Sequence, residues 1–181
     1  MHWRTSNNHW GWVSIGFHWM TAIVVLAQFG LGLWMVNLTL YDPWYNEAPH
    51  LHKSIGILLF MFTLLRLGWR VAGGRPIALP THSAWEQRLA ITMHALLYVL
   101  LFTVMFMGYL IPTADGRSID VFNWFSVPAT LYGINKQEDI AGAIHLWLAV
   151  TLLSLVVLHA TAAIKHHVHD KDNTLKRMLG L

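Results

Sequence analysis

Four histidines interrupt otherwise apolar stretches of this chain: His18, His52, His145 and His159. Imidazole is the commonest side-chain ligand for metals, and an intramembrane polar group is costly unless it finds a partner. His145 and His159 lie fourteen residues apart. That spacing advances a helix by about 21 Å and returns to nearly the same azimuth. Both imidazoles therefore look into one side of a bundle, one near each membrane face. A lone histidine there reads first as a structural group bonded to a neighbouring carbonyl. Two at this spacing point to a pair of metal-centred cofactors stacked across a membrane, provided other helices supply opposing ligands. The chain has 12 His and no Cys. The missing thiols exclude disulfides, thiolate metal sites, iron–sulfur clusters and covalent C-x-x-C-H haem attachment.

Composition says what must position these ligands. The chain is 55% hydrophobic and 12% charged, with 10 Trp in 181 residues, against roughly 45–50% and 25% for soluble domains. It reads as an all-α integral membrane protein, a four-helix bundle forming one membrane domain over 1–181 with no separate soluble part. Helices are expected at about 14–38, 50–71, 89–111 and 139–165, each long enough to span a hydrocarbon core of roughly 30 Å. The first carries His18, the second His52, the third His94, and the fourth His145 and His159. The N-terminal stretch HWRTSNNHWGW lacks the pattern of a removed signal peptide. The loop over 113–136 is expected outside the membrane, with a short interfacial segment around 122–125. No repeat or low-complexity tract is evident.

Orientation follows from the cations. Arg4, Arg66, Arg70, Arg75, Arg88, Lys165, Lys171, Lys176 and Arg177 fall on one side, and only Lys53, Arg117 and Lys136 on the other. Nine against three places both termini in the cytoplasm by the positive-inside rule. The net charge of +3 thus bears on topology and not on nucleic acid, and the partner implied is membrane lipid.

With that topology the chain offers one histidine pair per leaflet, His18 with His159 and His52 with His145. Two imidazoles on facing helices can clamp a b-type haem inside a bundle. Other positions agree. Gly32, fourteen residues after His18, and Gly56, one turn after His52, would let a porphyrin approach the backbone, although both also suit plain helix packing. Arg66 should face the cytoplasmic haem, where its guanidinium suits a propionate; snorkelling to headgroups is the competing reading, favoured for Arg70. His94 reads as a haem-edge or propionate contact or as an ordinary core hydrogen bond. Lys53, beside His52, offers charge near the external haem or a reach to headgroups. His2, His9 and His82 read as solvated or interfacial. His166, His167 and His169 form a basic face near anionic lipid, with a surface metal site as the lesser reading.

The segments FHWM, LHKSIG, AIHLW and VLHATAAIKHH, followed by the tail HDKDNTLKRM, resemble the bacterial cytochrome b561 family. The likeness covers essentially the whole chain, and KDNTLKRM is its most specific element. It implies a four-helix protein of the bacterial inner membrane with two non-covalent b haems. The family's four axial histidines carry over onto His18, His52, His145 and His159. A relative within that family resembles a superoxide:ubiquinone oxidoreductase, to which this sequence is similar. The longer external loop (113–136) and the segment PHLHK are departures, located where an external donor would dock.

The expected function is therefore a di-haem b cytochrome moving single electrons to or from a quinone such as ubiquinone. Three other readings stay open. One is a superoxide:ubiquinone oxidoreductase with an external donor, and another a haem-bearing anchor subunit that needs a catalytic partner protein. The third is a non-haem metal-binding membrane protein, against which the scarcity of intramembrane carboxylates argues.

Overall fold

The computed structural model describes residues 2–79 and 81–181. Four long helices, α1 (Trp12–Met35), α2 (Glu47–Gly73), α3 (Ala84–Leu110) and α4 (Gln137–Val168), precede a short tail helix α5 (Thr174–Leu179). All four long helices have the length and apolarity to cross a membrane. A helix satisfies its own backbone polar groups where no water can. Large apolar side chains such as Ile23, Leu65, Val99 and Trp147 are exposed, which for a lipid-facing surface is the normal exterior. The fold is thus an all-α membrane bundle.

Local chemistry sets the helix ends. Ser83 and Glu86 form a capping box that starts α3, with Ser83 N donating to Glu86 Oε2 at 2.8 Å. Gly74 ends α2 at φ +70°, a conformation that favours glycine. Between α1 and α2, the Asp42 carboxylate accepts from the Thr39 backbone N and Oγ1 at 2.7 and 2.8 Å. Those two bonds hold its pKa below the usual carboxylate range.

Packing joins α1 to α2 and α3 to α4, and α2 against α3 links these two helical hairpins. The buried core is small: Leu59, Leu101, Val104 and Leu152, with Val25 among the residues packed on it. Its placement is regular. Leu59 stands seven residues from both His52 and Arg66, and Leu101 seven from His94 and Gly108. Leu152 holds the same relation to His145 and His159, and Val25 to His18 and Gly32. Seven residues is close to two helical turns. The same inward position therefore recurs at three levels, with an aliphatic layer between two histidine levels.

The loop over 113–136 differs from the interfacial segment expected at 122–125. It contains an antiparallel hairpin, β1 (Ile119–Val121) with β2 (Phe125–Val127). Phe122 and Asn123 turn it at φ 49° and 57°. Strands of three residues are too short to leave a readable alternation. The hairpin is pinned from α2, where Ser54 Oγ donates to Asp120 O at 3.3 Å and accepts from Phe122 N at 3.2 Å. At the opposite end of the bundle, Trp19 Nε1 donates to Met178 O and Arg177 Nη1 to Ile77 O. The tail is thereby folded against α1 and the α2–α3 loop.

Candidate cofactor sites

The site nearer the hairpin is built by α2 and α4. Rings of His52 and His145 face each other with centroids 6.1 Å apart. His145 Nδ1 donates to Val104 O at 2.8 Å, because α3 brings an inward carbonyl within reach. That bond selects the tautomer and leaves Nε2 unprotonated, able to act as a ligand. His52 Nδ1 is buried without a hydrogen-bond partner among the described residues. Gln28, itself buried, donates from Nε2 to His52 O at 2.8 Å and so ties α1 to this turn of α2.

Two glycines leave room beside the rings. A Cβ on Gly32 would lie 3.3 Å from His52 Cε1, and one on Gly108 would lie 2.9 Å from His145 Cε1. Gly56 instead faces Gln28, whose Nε2 would be 3.6 Å from an added Cβ. A cleft of about 780 Å³, counting its open mouth, runs past both imidazoles, with Gln28, Lys53, Gly56 and Gly108 among its lining residues.

Nearer the termini, α1 brings His18 to 6.3 Å from His159 of α4, ring to ring. His94 of α3 comes closer still to His159, at 5.2 Å, so it belongs to this level in contact and not merely in depth. Arg66 Nη2 lies 3.1 Å from His18 Nδ1. A guanidinium only donates, so this contact makes Nδ1 the acceptor. The Arg66 and Arg70 guanidinium carbons lie 5.3 and 5.8 Å from the Tyr98 ring centroid. Tyr98 Oη is buried without a partner among the described residues.

Two metal–imidazole bonds of about 2.0–2.1 Å, with a ring radius added at each end, come to about the 6.1 and 6.3 Å separations seen. The donors at both levels are imidazole nitrogens with no thiolate, a set that suits b-type haem iron. Residues 9–181 match the family described as prokaryotic cytochrome b561. The chain belongs to this family.

Relatives place it further. Over 180 residues it is 51% identical to "Cytochrome b561 homolog 2" of Escherichia coli (strain K12), covering 99% of this chain and 96% of that one. It is 29% identical to "Probable superoxide oxidase CybB" of Yersinia pestis, with 92% and 93% covered. Against "Cytochrome b561 homolog 1" of E. coli K12 the figures are 26% identity with 95% and 97% covered. As a cytochrome b561 the protein is a multi-pass inner-membrane protein with a haem-linked electron-transfer role of oxidoreductase type.

Sequence reasoning did not assign roles to Gly108, Gln28 or Tyr98. A signal existed for Gly108: it follows His94 by fourteen residues, as Gly32 follows His18. The other two contacts depend on how neighbouring helices are rotated, which no spacing within one helix reveals.

Proposed function

We propose that this cytochrome b561 holds two non-covalent b haems, one between His52 and His145 and one between His18 and His159. It would move single electrons through the membrane by way of both, exchanging them with a quinone such as ubiquinone. The observation that carries this reading is the geometry of α4. Its two inward histidines each meet a partner from another helix at nearly equal ring separations of 6.1 and 6.3 Å.

Bound haem supplies the one-electron couple, and two imidazoles per iron favour electron transfer over O₂ binding. The chain's own residues do the rest. Val104 O orients His145 through its Nδ1 proton. Gly32 and Gly108 keep side-chain atoms away from the ring faces. Half-buried Arg66 and the buried Tyr98 hydroxyl offer donors suited to a haem carboxylate at the inner level. The layer of Leu59, Leu101 and Leu152 separates the two levels with aliphatic packing. This reading puts the termini in the cytoplasm and the hairpin outside, supported by the cation bias.

A second reading has its own observation. Lys53 lines the cleft beside His52, so a small anionic donor such as superoxide would be drawn to the outer haem. The name of the Yersinia relative points the same way. A haem-bearing anchor subunit would share the haems and stay inert without its partner.

Haem quantitation with a reduced-minus-oxidised spectrum tests the main reading. Close to two low-spin b haems per chain, unreactive to CO, are expected. His18→Ala and His159→Ala should each lose the same haem, and His52→Ala and His145→Ala the other. A crossed pattern would overturn the pairing. Folded protein without haem would instead favour non-haem metal binding.

A further inference from the structure

His82 was expected among the solvated or interfacial histidines. Instead its side chain is only 17% exposed, and its Nε2 lies 2.8 Å from Asp172 Oδ2. Asp172 is more enclosed, its side chain 2% exposed. From the last turn of α4, His166 presents Nδ1 3.9 Å from the same Asp172 oxygen. The two imidazole rings stand 4.7 Å apart. The loop before α3 thus meets the junction between α4 and α5, where His166 and Asp172 stand six residues apart. Their ligand atoms all lie within 4.8 Å of one another.

We infer that His82, His166 and Asp172 form a binding site for a divalent transition-metal ion of the zinc type, separate from the haem levels. A tetrahedral ion with bonds of about 2.0–2.1 Å has ligand–ligand edges of about 3.3 Å. The distances of 2.8 and 3.9 Å from Asp172 Oδ2 bracket that edge. Two imidazoles with one carboxylate are a donor set suited to zinc and its neighbours, whereas magnesium and calcium prefer all-oxygen shells.

The surroundings prepare the ligands. Asp172 Oδ1 accepts from Thr174 N at 2.8 Å, which orients the carboxylate and leaves Oδ2 toward the imidazoles. Asp170 Oδ2 sits 2.6 Å from His166 Nδ1 and also accepts from Lys165 Nζ at 2.7 Å. The ion would displace the proton that His166 Nδ1 shares with Asp170. Such an ion would clasp the tail to the bundle. Hydrogen bonding alone leaves the shared Asp172 oxygen joined directly to only one of the two imidazoles.

The test uses purified, haem-loaded protein stripped with a chelator and titrated with zinc chloride. Bound zinc is read by elemental analysis and calorimetry. One zinc per chain is expected, with a rise in melting temperature. His82→Gln and Asp172→Asn should each weaken binding by at least about tenfold, the scale on which even outer-shell changes act, with the haem spectrum unchanged. His9→Gln should have no effect. Zinc-edge X-ray absorption on the unaltered protein should show mixed histidine and oxygen ligation, a readout that does not depend on the variants folding. Failure of the haem-loaded protein to bind zinc would overturn the inference, as would binding that survives both ligand substitutions. Because haem is measured in the same samples, failure here leaves the di-haem reading intact.

Discussion

Gly108 and His145 make the tightest approach at the level nearer the hairpin. Val104 O holds the imidazole through Nδ1, so the ring has little freedom to retreat. An added Cβ would meet Cε1 at 2.9 Å and Nδ1 at 3.0 Å. Overpacking of this kind costs about 1–3 kcal/mol. On the proposed di-haem reading, Gly108→Ala is therefore expected to weaken haem retention at this level or shift its potential, with the other haem unchanged, as followed by redox titration. Gly30→Ala, which meets nothing within 4 Å, is the matched control and should leave both haems as they are. Equal behaviour of the two variants would mean that Gly108 serves helix packing alone.

At the scale of elements, the β1–β2 hairpin is held to α2 by one side chain acting both as donor and acceptor. Ser54 is fully buried and bonds Asp120 O and Phe122 N. Its removal leaves both backbone groups short of a partner, at about 1–3 kcal/mol for each buried group that water does not reach. Ser54→Ala should loosen the hairpin, seen as faster amide exchange at residues 119–127, without displacing haem from the inner level. Unchanged exchange would show that Ile119 and Val121, both buried, hold the hairpin unaided. The hairpin also contributes Ile119 to the wall of the outer cleft. Its looseness therefore bears on access by a small donor.

The whole molecule is two helical hairpins with room between them, and this arrangement presents different chemistry at its two ends. One end gathers the tail, the α2–α3 loop and most of the cations; the other carries the hairpin and three cations. On the proposed orientation, with both termini cytoplasmic, Asn135→Cys should react with a membrane-impermeant maleimide in intact cells, and Asn8→Cys only after permeabilisation. The chain has no native cysteine to interfere. The opposite labelling pattern would invert the assignment of outer and inner levels while leaving the histidine geometry untouched.

The sequence by itself determined that four apolar helices make a membrane bundle and which residues of each helix share an inward stripe. Hydropathy and the helical repeat are local properties, so the fourteen-residue interval from His145 to His159 already fixed their common face. The tertiary structure decided what lies opposite each stripe. Its rotations and offsets bring His94 to 5.2 Å from His159, seat Gly108 against His145, and enclose Tyr98 among the arginines. They also make a hairpin of a loop expected to hold only an interfacial segment, and bring His82 to His166 and Asp172 at the α4–α5 junction. None of these follows from periodicity, because a helix's own repeat relates its residues only to one another. The rotation of one helix against the next is set by packing across the whole bundle.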